Sequence, residues 1–285
     1  MGRRAVRGTV TRSVASGEAT LLPDADLPEG WILLIDGTQQ SHVDLAEPSR
    51  LEFEYMRRIG HVIDLLPPGP IRVVHLGGGG MAIARYASST RPRTSNLVVE
   101  HDGPLVDMVR THLPWPREFR IRVRVAAARP ALDALPDDSA DLVVLDVFAA
   151  ARTPGEVTTL EAFGQARRVL GAGGTLVANI ADASPLEYAR RYVAGVRATF
   201  DRVVVVVEPG VMRGRRFGNL VVVAQPRTAA PLDLEALERR SAADPWPARV
   251  LLGAPLDAFV GGSRPFADST ATGSPAPPPG LFDRL

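Results

Sequence analysis

The stretch Ile71-Arg-Val-Val-His-Leu-Gly-Gly-Gly-Gly-Met-Ala82 decides how this chain is read, because a short apolar run ends in four consecutive glycines and passes into residues 81–87, which read as helix. Strand, tight turn and helix start follow one another. Glycine is needed in such a turn because a backbone without Cβ takes positive φ and lets a ligand approach the main chain, where the first helical turn offers free N–H donors. The pattern suits a nucleotide or nucleoside, or a purely structural strand-to-helix turn. Asn96-Leu-Val-Val-Glu100 then gives a second apolar run ending in an acid, about twenty residues on, where an α/β nucleotide fold places a carboxylate to receive ribose hydroxyls. Gly77, Gly78, Gly79, Gly80 and Glu100 are the first candidate binding residues.

Working outward, residues 8–43 read as small β-structure, with an alternating run at 8–15 and a strong strand at Trp31-Ile-Leu-Leu-Ile35. Its apolar face needs covering by the core or by a second subunit, which predicts a homodimer. Residues 49–66 carry apolar positions at helical spacing with Ser49 as the expected cap, and Pro67-Pro-Gly-Pro70 ends that helix. From residue 71 strands (71–76, 96–100, 120–126, 141–146, 174–180, 202–208, 218–225) alternate with helices (81–88, 103–113, 129–135, 158–170, 185–199). The last two strands are too close for a crossover and should pair antiparallel. The expected fold is therefore α/β, a seven-stranded Rossmann-like methyltransferase fold with a small N-terminal β-domain. The expected division is 1–48 for the β-domain, 49–226 for the transferase domain, 227–268 for a helical extension with a helix at 233–241, and 269–285 for a Pro-rich tail, unstructured unless it docks.

Composition excludes several chemistries. The 285 residues are 45% hydrophobic, with 33 basic residues against 32 acidic, which is enough for a large core and gives no nucleic-acid footprint. No cysteine is present, so disulfides, thiolate metal sites and cysteine nucleophiles are ruled out. Every one of the 33 is arginine, which removes Schiff-base and phosphate-loop lysine chemistry. No metal site is expected from the five histidines, which lack ligand spacing, although His42 lies near the expected cleft as a ligand-contact candidate. With no apolar run of ~18 residues and no secretion signal, the expected location is cytoplasmic, off the membrane.

The order of features resembles the spermidine synthases, aminopropyltransferases that share the methyltransferase fold. The resemblance covers roughly residues 8–225 and rests on Asp36-Gly-Thr-Gln-Gln40, Glu52-Phe-Glu-Tyr55, Leu76-Gly-Gly-Gly79, Glu100-His-Asp102 and Leu145-Asp146. It implies a homodimer, an adenosyl cofactor (decarboxylated S-adenosylmethionine or S-adenosylmethionine itself) and a small-molecule substrate. It also implies that Gln40 and Tyr55 reach the cleft, that Glu100 binds the ribose and that Asp146 is the catalytic acid or base. Beside that resemblance, Asp146 ends the run Asp141-Leu-Val-Val-Leu-Asp146 at the sheet edge where ligands bind, and an ammonium nucleophile arriving there must lose a proton.

Three departures stand against the matches. Gly80 replaces the acid that holds the aminopropyl amine, Ala127 replaces the acceptor of the adenine amino group, and Ala149 replaces the second acid after strand four. Each lost charge-assisted hydrogen bond is typically worth ~1.5–3 kcal/mol. Gly80 points to methyl transfer from intact adenosylmethionine as an alternative, and Ala127 with Ala149 to a non-catalytic dimeric protein that kept the fold. Met212-Arg-Gly-Arg-Arg-Phe-Gly-Asn219 adds an arginine cluster, Arg213, Arg215 and Arg216, suited to a carboxylate or phosphate on a substrate.

Overall fold

The computed structural model describes residues 8–149 and 152–278; the expected N-terminal domain and tail extend outside it at 1–7 and 279–285. The chain opens with strands β1 (Val10–Val14), β2 (Gly17–Pro23), β3 (Gly30–Ile35) and β4 (Thr38–Asp44), followed by helix α1 (Glu54–Leu65). Alternation then runs β5 (Arg72–Leu76), α2 (Ala82–Thr90), β6 (Ser95–Glu100), α3 (Gly103–His112), β7 (Ile121–Val125), α4 (Ala128–Asp133), β8 (Leu142–Leu145), α5 (Leu160–Leu170), β9 (Thr175–Asp182) and α6 (Glu187–Thr199). The chain closes with β10 (Arg202–Val207), α7 (Pro209–Met212), β11 (Gly218–Gln225), α8 (Leu234–Ala243), β12 (Arg249–Leu251) and α9 (Gly253–Val260).

β1 to β4 form an antiparallel meander, and the remaining strands form one sheet in the order β12-β10-β11-β9-β8-β5-β6-β7. The seven expected strands are all in it. The eighth, β12, joins as an outer edge because Arg249 to Leu251 pair antiparallel with Val207 to Val205. β9 through β7 run parallel, and β10 and β11 form the expected antiparallel pair. β8 and β9 are buried along their whole length, as helix-covered parallel strands must be. Among the described residues no helix is long and apolar enough to cross a membrane.

Ser49 does not cap α1. The helix starts at Glu54 behind Phe53, while residues 47–50 close a turn in which Arg50 N–H donates to the Glu47 carbonyl at 2.9 Å and the Ser49 hydroxyl turns to the Glu47 carboxylate. The apolar face of the N-terminal meander is covered from within the chain: Leu21, Trp31, Leu33 and Val43 share one buried cluster with Met56, Met81 and Leu105. That face therefore gives no reason for a second subunit. One carboxylate holds the meander in place. Asp102, fully buried at the start of α3, accepts Ser16 N–H at 2.7 Å, Ser16 Oγ at 2.6 Å, Ala15 N–H at 3.2 Å and the helical Leu105 N–H at 3.0 Å. Burial works to raise its pKa, and these bonds together outweigh it and leave the group below the ordinary carboxylate value.

The tail docks as far as it is described. Ser274 is buried, exchanges hydrogen bonds with Thr153 in both directions (Ser274 N–H to the Thr153 carbonyl at 3.0 Å, Thr153 N–H to Ser274 Oγ at 2.9 Å) and offers its carbonyl to Arg152 Nε at 2.6 Å. Gly155 lets this happen, since a Cβ there would stand 2.9 Å from the Thr272 backbone.

The tightest requirement in the main sheet falls on Gly77, at φ +93°, where a Cβ would lie 2.1 Å from the Asp146 carbonyl oxygen. Gly77→Ala is expected to lose at least ~2–3 kcal/mol, from strain at positive φ plus the forced parting of β5 from β8, read as a lower denaturation midpoint. An unchanged midpoint would show that the turn is not under this constraint.

Candidate active site

A cleft of about 510 Å³ opens at the carboxyl ends of β5, β6 and β8, with β4 and the first turn of α1 on its other side. That volume is within the range of small-molecule sites. It brings together Gln40, Tyr55, Gly77, Gly78, Gly79, Glu100 and Asp146. Its floor is the glycine turn, where Gly77 and Gly79 take positive φ and the main chain lies bare. Glu100, at the end of β6, is 7% exposed and holds the turn: its Oε2 accepts Gly78 N–H at 2.9 Å and Gly79 N–H at 3.3 Å, and its Oε1 accepts Asp102 N–H at 3.1 Å.

Asp146 leaves the end of β8 half-buried and accepts Asn179 Nδ2–H at 2.9 Å, with Tyr55 beside it in the cleft. Burial pushes its pKa up to about 6, against the opposing pull of the Asn179 and Tyr55 bonds. Tyr55 moves the same way: burial, then the Asp146 charge, raises its hydroxyl well above the ordinary value, so it stays a donor. The pair thus offers one carboxylate able to take a proton near neutrality and one neutral hydroxyl beside it.

The lining holds four carboxylates, Asp36, Glu100, Asp146 and Glu156, and among the described residues not one arginine, in a chain with 33 of them. Such a field favours a cationic ligand. The glycine floor, the carboxylate at Glu100 and the cationic preference fit a nucleoside bearing a positive centre. Ala127 lines the cleft where an adenine acceptor is absent, and Ala149 lines it without a charge.

Other expected residues are placed apart. His42 is buried within the meander, its Nε2 3.0 Å from Asp24 Oδ2, and does not line the cleft. The reason is a β-bulge: Leu34 pairs with Gln39 but Leu33 with Ser41, so Gln40 is an extra residue that shifts the alternation by one and turns Ser41, not His42, inward. Gly80 is roofed by β4. Arg213, Arg215 and Arg216 lie in a different hollow with Trp246, where Arg216 pairs with Glu208. Asn179 and Ser41 were not expected at the site. The signal for Asn179 was a lone amide within the apolar run Leu176-Val-Ala-Asn-Ile180, since a buried polar group needs a partner; for Ser41 there was none short of knowing the bulge.

Comparison with known proteins agrees with this geometry. No family model and no curated protein matches the chain. Among solved structures, a probable spermidine synthase from Corynebacterium glutamicum is 31% identical, covering 94% of this chain and 99% of that one with a TM-score of 0.85. The spermidine synthase of Thermotoga maritima (13% identity, 88% of this chain, 87% of that one, TM-score 0.60) and human methyltransferase-like protein 13 in complex with SAH (16%, 81% and 98%, 0.51) share the fold. A mostly parallel sheet with its antiparallel pair, a glycine floor answered by Glu100, and an identity of 31% over nearly the whole of both chains lead to one conclusion: this chain belongs to the spermidine synthase family.

Proposed function

We propose that the protein is a transferase that alkylates an amine nucleophile with an adenosyl sulfonium, and that Asp146 receives the amine's proton. The observation that carries this reading is the Tyr55–Asp146–Asn179 arrangement in an acid-lined cleft without arginine. When bound, the sulfonium would supply an electrophilic carbon. Glu100 would hold the ribose hydroxyls above the glycine floor, and Gln40, whose amide makes only a long 3.5 Å contact to the Thr38 carbonyl, is free to turn toward a ligand. The Asp146 carboxylate would draw the ammonium form of the acceptor in and take up its proton, with the Tyr55 hydroxyl keeping the accepting oxygen in place. His42, Arg213, Arg215 and Arg216 have no part in this chemistry.

The family relationship supports aminopropyl transfer from decarboxylated S-adenosylmethionine. Methyl transfer from S-adenosylmethionine is the second form, favoured by Gly80, which puts no acid near the cofactor's tail. Assembly as a homodimer belongs to the proposal on the family relationship alone, and sedimentation of a monomer at micromolar concentration would remove it.

Asp146→Asn is expected to lower turnover at least ~10²-fold with folding intact. In the wild type, turnover should fall as pH drops through about 6, where Asp146 takes up its proton. Stability runs the other way. The folded carboxyl titrates at about 6 against an ordinary 3.8, so ionising it between those values costs the fold on the order of 1–3 kcal/mol, and the amide should match or exceed the wild-type melting point at pH 7. A variant that keeps full turnover would exclude Asp146 as the base.

Glu100→Gln should instead weaken methylthioadenosine binding measured by calorimetry, with a smaller effect on saturated turnover, because a ribose contact is common to ground and transition states. Equal nucleoside affinity in both proteins would remove Glu100 from the binding site.

A further inference from the structure

A second hollow, of about 660 Å³, flanks the first turn of α1, where Tyr55 lines the cleft but Glu54 lines the hollow together with Glu208, Arg213, Arg215, Arg216 and Trp246. Among the described residues none lines both, and this volume too is within the range of small-molecule sites. Both walls are held in shape by backbone bonds. The arginine loop between β10 and β11 is closed by Met212 N–H to the Glu208 carbonyl at 3.0 Å, Gly214 N–H to that of Val211 at 2.8 Å and Arg215 N–H to that of Gly210 at 2.9 Å. The other wall, the turn after α8 that carries Trp246, is closed by Ala248 N–H to the Ser241 carbonyl at 2.9 Å. Asp244 fastens that turn to α1, accepting Arg57 Nε–H at 2.9 Å with His61 Nε2 also at 2.9 Å.

The charges of this hollow are the reverse of the cleft's. Three arginines line it against two glutamates, and Arg216 is paired with Glu208. Glu54 stands one turn before Arg58 on α1, and Arg58 is 1% exposed with Nε and Nη2 lacking any hydrogen-bond partner and Nη1 only 3.4 Å from the Asn219 carbonyl. Burial lowers the pKa of Arg58, Glu54 and Asp244 oppose that shift, and Arg216 adds to it, so this guanidinium lies within the field of the charges that line the hollow. It is a fixed positive charge behind the wall, not a ligand contact, and it takes up the remaining glutamate's field. Arg213 and Arg215 are left over: both are exposed, and among the described residues their side chains make neither a hydrogen bond nor an ion pair. Trp246 is 44% exposed between Pro245 and Pro247, which restrict its backbone, and it offers a flat apolar face in the same hollow.

We propose that this hollow is a second ligand site, apart from the cleft, that takes a flat aromatic anion: Arg213 and Arg215 hold its oxyanion head group and Trp246 its ring. Guanidinium groups bind phosphate and carboxylate alike through paired N–H donors, so the shared chemistry is an oxyanion carried on an aromatic body. An ammonium would meet two uncompensated positive charges here. The site therefore cannot serve the cationic ligand that the cleft favours, and the proposal does not depend on the adenosyl reading.

Calorimetry with phenyl phosphate, benzoate and inorganic phosphate tests this on the wild type, on Trp246→Ala and on the double variant Arg213→Ala/Arg215→Ala. The wild type should bind phenyl phosphate about fivefold more tightly than inorganic phosphate, the scale of one aromatic contact. Trp246→Ala should abolish that preference and leave inorganic phosphate binding as it was. The double variant should lose at least about tenfold for phenyl phosphate, the scale of hydrogen bonds to a charged group. Tighter binding of phenyl phosphate or of benzoate by the wild type tells whether the natural head group is a phosphate or a carboxylate. All three substituted side chains are exposed, so an unchanged denaturation midpoint is expected. The proposal is overturned if the wild type binds none of the three anions at millimolar concentration, if the ring gives no preference, or if the double variant binds phenyl phosphate as the wild type does. Methylthioadenosine affinity should be the same in all three proteins; its absence from the wild type would count against the adenosyl reading alone.

Discussion

The short turn after β6 sets the geometry of everything around it, because its two carboxylates face opposite ways. Glu100 reaches down to the glycine turn and fastens Gly78 and Gly79, while Asp102, two residues on, reaches up to Ser16 and fastens the N-terminal meander. The two are themselves joined, Asp102 N–H donating to Glu100 Oε1. Since β4 supplies Gln40 and Ser41 to the cleft, the distance between floor and roof is fixed by a segment of three residues. Both carboxylates are buried and multiply bonded, a setting in which losing one partner leaves a charged group unsatisfied.

Asp146 shows the other side of burying a carboxylate. Where Asp102 has four donors and is held below its ordinary value, Asp146 accepts from Asn179 beside Tyr55 and is raised to about 6. The difference is one of bonding rather than residue type: donors that favour the charged form offset desolvation at one position and fall short at the other. A carboxyl poised in this way is costly to the fold and, in the function proposed above, useful to a proton transfer.

Much of this was legible in the sequence. The apolar runs and their spacing gave the parallel strands, and the short gap between residues 207 and 218 gave the antiparallel pair. Glycine at 77 and the acid at 100 were readable because backbone chemistry leaves few alternatives at such positions. What was not readable depended on phase or on distant partners. A single extra residue at Gln40 reversed the facing of Ser41 and His42, and no local pattern announces a bulge. Ser49 looked like a cap, but the turn at 47–50 took its hydroxyl. β12 is three residues long, too short for periodicity, and exists because β10 offers an open edge. The arginines at 213, 215 and 216 were grouped correctly as a cluster, yet the loop that carries them faces a different hollow.

The docked tail has a consequence for how the protein is made. Ser274 pins Arg152 and Thr153, in the segment that follows Asp146, and Pro154 and Glu156 of that segment line the cleft. A ribosome releases the chain from the amino end, so the meander, the glycine turn and Asp146 all emerge well before residue 274. The wall beside Asp146 gains these hydrogen bonds only after residue 274 has emerged. An emerging chain can therefore assemble its glycine floor while still tethered, but the cleft wall at 152–156 waits for a segment more than a hundred residues further on.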